Sequence, residues 1–139
     1  MGDMRSKLST LWLFATLNYL YCDVVALMNP SLLRGFLAGQ IGTIQVSQWF
    51  LLGAAILVEI PISMVLLSRV LEHRANRLAN LIAGVTMTVV QLGSLLVGTP
   101  ALYYLFFSVI EVACTATIVW FAWRSEDVRG AMPAAEAAC

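Results

Sequence analysis

Histidine occurs once in these 139 residues, cysteine three times, and charge at only 12% of positions, and each scarcity excludes a class of protein. A membrane b-type cytochrome needs two intramembrane histidines per haem, whereas His73 stands alone in a short basic turn. Cys22, Cys114 and Cys139 are far apart and form no C-x-x-C pair, which argues against a dithiol relay and a disulfide framework. No glycine-rich phosphate loop follows a strand pattern, so nothing signals ATP use. No Ser–His pairing falls within an apolar segment, so no activated nucleophile is evident. Formal net charge is zero, which leaves no general pull on nucleic acid. No metal or cofactor is expected. Soluble domains carry about 25% charged residues, and this chain has too few to give every helix of a soluble bundle a polar face.

Apolar residues fill the gap, at 60% of the chain. They fall into four continuous runs, at about 8–28, 48–70, 77–98 and 101–123. Each is near the roughly 20 residues that a helix needs to cross the hydrocarbon core. The runs do not alternate, so they read as helices rather than barrel strands. The fold class expected is all-α, a four-span transmembrane bundle over 1–123 with a mobile cytoplasmic tail over 124–139. Arg5, Lys7, Arg69, Arg74, Arg77, Arg124 and Arg129 share one side in this arrangement, and only Arg34 falls opposite. The positive-inside rule then places both termini in the cytoplasm. Trp12, Trp120 and Trp123 are expected near the inner interface, and Trp49, Tyr103 and Tyr104 near the outer one. The first run is too long for a signal peptide and is read as retained. Between spans one and two, Asn29 suits a helix cap and Pro30 a first turn. Leu33, Phe36, Leu37, Ile41 and Ile44 then recur at helical spacing, which predicts a short amphipathic segment on the outer surface, with breaks allowed at Gly35, Gly39 and Gly42.

Two acids interrupt the apolar runs. Counting about 1.5 Å per residue puts Glu59 about 16 Å below the outer end of span two and Glu111 about 15 Å below that of span four. Asn18 reaches the same depth on span one, about 15 Å from its inner end, while Gln91 sits higher on span three and Asp23 higher still. Helical spacing gives each span one polar or small face: Phe14, Asn18, Tyr21 and Cys22; Gln48, Leu52, Ala55, Glu59 and Ser63; Asn80, Gly84, Thr88 and Gln91; Tyr104, Ser108, Glu111 and Thr115. The expectation is a midplane site in which Glu59 and Glu111 share one water-poor pocket, with Asn18 and Gln91 beside them and Asp23, Tyr104, Ser108, Thr115 and Ser63 around it. Two carboxyls so placed cannot easily both ionise, so one or both should hold a proton at neutral pH. Pro61 deletes the amide that would bond the Leu57 carbonyl, which should kink span two beside the acid. The leading function is proton-linked movement of a small solute, with the bilayer, protons, the solute and further copies of the chain as partners. The alternative is a non-catalytic scaffold or accessory subunit whose acids hold helices together. An enzyme acting on a lipid-soluble substrate has less support, since no nucleophile or cofactor ligand accompanies the acids.

The stretches Leu51-Leu52-Gly53-Ala54-Ala55-Ile56-Leu57, Glu59-Ile60-Pro61, Leu67-Ser68-Arg69-Val70-Leu71, Asn76-Arg77, Ala79-Asn80 and Ile110-Glu111-Val112 carry a resemblance. Over about residues 8–124 the chain is similar to a family of small uncharacterised bacterial four-helix membrane proteins. That resemblance implies a bacterial inner membrane and four spans, and implies no mechanism.

Overall fold

The computed structural model describes residues 2–41, 44–96 and 100–124. The readings at Gly42, Gly98 and Thr99, and of the tail beyond Arg124, lie outside the described residues. Helix α1 runs Gly2–Leu27, α2 Pro30–Leu37, α3 Gln48–Val70, α4 His73–Leu95 and α5 Leu102–Arg124, with a minimal antiparallel ladder of β1 (Gln40–Ile41) and β2 (Ile44–Gln45) between α2 and α3. The four long helices are long and apolar enough to cross a membrane. They run up-down-up-down in a ring: α1 packs on α3 and α5, α4 packs closely on α5, and the α3–α4 seam is the sparsest. The beginning of α1, the α3–α4 turn and the end of α5 gather Arg5, Lys7, Arg69, Arg74, Arg77 and Arg124 at one end of the bundle, here the basic end. Arg34 lies in α2, at the opposite end.

Apolar runs locate spans but not helix ends. Polar residues extend α1 back to Gly2 and α4 back to His73, both earlier than the apolar runs suggest. Chain termini and turns sit in the interfacial region, where polar side chains continue a helix at little cost. The connector between the first two spans is helical only as far as Leu37; Ile41 and Ile44, expected to continue the helical spacing, instead pair with each other across the β1–β2 ladder once Gly39 has turned the chain. The Asn29 side chain accepts from Ser31 N at 3.1 Å, Pro30 fills the first turn, and Gly39 turns the chain at φ 71°. Leu33, Phe36 and Leu37 of α2 are exposed, which suits a helix lying against lipid rather than one inside a core. The two-residue ladder leaves no signal strong enough to be read from composition.

At the basic end, polar side chains tie three helices together. Trp12 Nε1 donates to Asn80 Oδ1 at 2.7 Å, and Ser68 Oγ donates to the same oxygen at 3.3 Å. Asn80 Nδ2 reaches Asn76 O and Oδ1, and Asn76 Nδ2 donates to Ser68 O at 3.2 Å. Ser9 Oγ donates to Val65 O at 2.7 Å and accepts from Arg69 Nε at 2.9 Å. In hydrocarbon a missing partner cannot be replaced by water, so a closed network of this kind selects one arrangement of α1, α3 and α4. Trp12 is 0% exposed, so it is a core residue and not the interfacial ring its position suggested; its indole N–H needs the Asn80 acceptor once buried. Trp49, Trp120 and Trp123 are exposed near helix ends, as amphipathic rings prefer.

The α4–α5 seam is close because Gly84 has no side chain. A Cβ there would stand 2.7 Å from Val119 Cγ2. Small residues let membrane helices approach in this way. Outside the bundle, Leu17, Ile56, Val89 and Val109 are among many large apolar residues left exposed, a surface that only lipid or another membrane protein covers well.

Asn80 makes four hydrogen-bond contacts, to Trp12, Ser68 and twice to Asn76. Asn80→Leu should therefore cost about 1–3 kcal/mol, read as unfolding in mixed detergent. Asn18→Leu, whose amide bonds only Phe14 O of its own helix, should change stability by less than about 0.5 kcal/mol. Equal losses would contradict the assigned roles.

Candidate functional site

One face of α5 carries Tyr104, Ser108, Glu111, Thr115 and Ile118, spaced four, three, four and three apart, and the last four are buried. Ser108 Oγ donates to Tyr104 O at 2.7 Å and accepts from Gln91 Nε2 of α4, also at 2.7 Å. Thr115 Oγ1 donates to Glu111 O at 3.0 Å, which leaves it free to accept from Thr88 Oγ1 of α4 at 2.8 Å. Ser94 and Tyr104 hydrogen-bond hydroxyl to hydroxyl. Three polar rungs thus join α4 to α5, each satisfied.

Glu111 lies between the rungs and joins none of them. It is 1% exposed, yet neither Oε1 nor Oε2 has a hydrogen-bond partner. The hydroxyl of Tyr19, on α1, is likewise buried and unpartnered. Both side chains line one cavity of about 350 Å³. Its polar lining also includes Asp23, Gln91, Ser94 and Tyr104; its walls are apolar, from Leu57, Val58, Pro61 and Ile62 of α3 to Met87 and Val90 of α4. Among the described residues no lysine, arginine or histidine lines it. Leu20, Ala54, Val58 and Ile62 are exposed although they form its wall, so the cavity is not sealed from the outside of the bundle. The Trp12–Asn80–Ser68 network lies on the basic side of the cavity without lining it: Cys114 Sγ donates to Leu11 O at 3.3 Å, which levels Trp12 within about one helical turn of Glu111.

Glu59 and Glu111 do not share the pocket expected of them. Glu59 is exposed, its Oε1 accepts from Ser63 Oγ at 3.4 Å, and it does not line the cavity. The reason is the phase of α3. Its buried residues are Pro61, Met64 and Ser68, and at about 100° per residue Glu59 stands about 200° from Pro61 and about 180° from Ser68. Ser68 is held inward by Asn76 and Asn80, so Glu59 and Ser63 are turned out. A similar error of phase affects α1. Phe14 and Tyr21 are exposed, and Asn18 is half-buried, bonds its own helix and does not line the cavity. The inward stripe is Leu8, Trp12, Ala15 and Cys22 with half-buried Tyr19 between them. Gln91, Asp23 and Tyr104 do line the cavity; Ser108 and Thr115 lie behind it in the α4–α5 rungs. Tyr19 is the residue that sequence reasoning missed. The spacing Trp12, Ala15, Tyr19, Cys22 contains it, but a tyrosine in an apolar run draws less attention than an asparagine one position away.

Pro61 is buried in the wall, and since it has no amide hydrogen the Leu57 carbonyl beside it receives no helix bond from that position. Among the described residues no three His, Cys, Asp or Glu side chains stand close enough to hold a metal ion. Chemically the cavity offers acceptor oxygens and no fixed cation. A carboxylate in that position is costly unless a proton, a cation or a hydrogen-bond donor reaches it.

A protein-family model described as a family of unknown function, DUF6326, matches residues 1–129. No curated protein and no solved structure matches the chain.

An acid that holds the fold together and an acid kept for a ligand respond oppositely to removal. Because the Glu111 carboxyl bonds nothing within the protein, Glu111→Met should raise stability in detergent, by about 1–3 kcal/mol. A comparable loss would show that its carboxyl is structural.

Proposed function

The chain belongs to the family of unknown function DUF6326, and from its cavity we propose that it carries a small solute across a membrane in exchange for protons, with Glu111 as the single working acid. What supports this is the buried carboxyl of Glu111, without a partner and facing an unsealed cavity. Evolution does not readily keep an ionisable group in hydrocarbon for packing: hydrogen bonds there average only about 0.6 kcal/mol, and Glu111 makes none through its carboxyl. Such a group can alternate between holding a proton and holding a solute.

The membrane in this proposal is the bacterial inner membrane, with the basic end of the bundle in the cytoplasm, as the Lys and Arg distribution favours. The cavity then belongs to the outward-facing half. Release on the other side requires the helices to part on the basic side of the cavity, which means breaking the Trp12–Asn80 and Ser68–Asn80 bonds while α1 and α3 move from α4. A network of a few hydrogen bonds is a suitable barrier, closed at rest and openable at moderate cost.

The scaffold reading draws on a different observation, the outward carboxyl of Glu59. With Ser63 it forms a small polar patch on the most apolar span, where a helix of another copy or of a partner protein would satisfy it better than lipid does. The two readings place the essential acid on different helices. In vesicles containing the purified protein and an imposed pH gradient, Glu111→Gln should abolish acid-dependent uptake across a broad solute panel, while Glu59→Gln should retain most of it. Loss of uptake only in Glu59→Gln would reverse the assignment, and wild-type vesicles with no acid-dependent flux would favour the scaffold. Fluorescent-protein fusions to the C-terminus should fluoresce if that end is cytoplasmic; fusions that stay dark while an exported phosphatase reporter is active would overturn the orientation.

A further inference from the structure

Three oxygen atoms on side chains that line the cavity are buried and without a partner: Oε1 and Oε2 of Glu111 and the hydroxyl of Tyr19. The carboxylate atoms only accept, and the phenol can accept as well as donate. A primary ammonium presents three N–H donors and one positive charge. Donor number and charge therefore both match, one N–H for each unpartnered oxygen and one cation for the Glu111 carboxylate. The other acid in the lining, Asp23, adds negative charge toward the α2 end, about 13 Å further along by helical rise from the level of Glu111. No basic side chain in the lining opposes a cation.

The rest of the cavity is apolar. Leu57, Val58, Pro61, Ile62, Met87 and Val90 offer a wall with no donors, suited to a hydrocarbon body. A volume of about 350 Å³ falls at the small end of ligand sites, which run from roughly 300 to 1,000 Å³. The exposed wall residues Ala54, Val58 and Ile62 belong to a membrane-spanning helix, so the opening along α3 faces hydrocarbon and suits a ligand that partitions into the bilayer.

We propose that the cavity is a site for a primary ammonium carried on a small apolar body, with Glu111 and Tyr19 receiving the ammonium. This rests on the cavity being the solute site. Quaternary ammonium groups bring the charge without N–H donors, and alcohols bring a donor without the charge, so both should bind worse.

The test uses the full chain in lipid nanodiscs and three probes of equal body: 1-naphthylmethylamine, its N,N,N-trimethyl derivative and 1-naphthylmethanol, with affinity read by calorimetry. The amine should bind at least about tenfold more tightly than either analogue, since charge-assisted hydrogen bonds are the strong ones. Glu111→Gln should lose the preference, Tyr19→Phe should weaken the amine about three- to tenfold without affecting the alcohol, and Glu59→Gln should change nothing. Thermal unfolding of each variant confirms that it is folded. Equal binding of all three probes, or a quaternary compound binding as well as the amine, overturns the ammonium site and leaves the cavity as a solute site. Binding that keeps its amine preference in folded Glu111→Gln places the site elsewhere and overturns the proposal, and absence of binding by any probe overturns the cavity reading as well.

Discussion

Inside a membrane each polar atom must be satisfied by the protein itself, and that constraint orders this molecule. Where it is met, the helices are fixed. Asn80 gathers Trp12, Ser68 and Asn76 into one closed network, and Ser9 bridges Arg69 and the Val65 carbonyl. These bonds set the rotation of α1, α3 and α4 about their own axes. The constraint is not met everywhere. The unsatisfied oxygens of Glu111 and Tyr19 belong to side chains that line one cavity. The satisfied network lies on the basic side of that cavity, so met and unmet polarity follow one another along the bundle.

The four spans and the membrane-compatible composition were plain in the sequence because they depend on run length alone. The inward faces of α4 and α5 were also legible: Asn80, Gly84, Thr88 and Gln91 on one, and Tyr104, Ser108, Glu111 and Thr115 on the other, are repeated small or polar residues that agree on one direction. The faces of α1 and α3 were misread because each was anchored on one conspicuous residue. Glu59 was assumed to point inward on the general rule for intramembrane acids. The rotation of α3 is instead decided nine residues later, by the fit of Ser68 against Asn76 and Asn80. No local pattern on α3 announces that fit, since it exists only once α4 is packed beside it. Trp12 follows the same logic: its depth was right for an interfacial ring, and its burial depends on an acceptor 68 residues away.

Moving Glu59 out of the site simplifies the chemistry. A paired-acid mechanism relies on repulsion between two carboxyls to hold a proton. With Asp23 about 13 Å along the bundle as the other acid in the lining, the surroundings of Glu111 are apolar walls, the phenol of Tyr19 and, among the described residues, no fixed cation. In the proposed function, a proton and a positively charged group are alternatives at the same oxygens, which is the minimum needed to couple two flows. Glu59 becomes a separate matter. Its carboxyl has Ser63 beside it and otherwise faces whatever surrounds the bundle, so its consequences concern assembly and not the cavity.

The arrangement of the two acids can be read directly in the membrane by cross-linking. In a chain with Cys22, Cys114 and Cys139 replaced by serine, cysteines are placed at 19 and 111, or at 59 and 111, and treated with a short bifunctional thiol reagent. The geometry described here joins 19 to 111 within one chain and leaves 59 and 111 separate. Efficient joining of 59 to 111 within one chain, with 19 and 111 left apart, would contradict it.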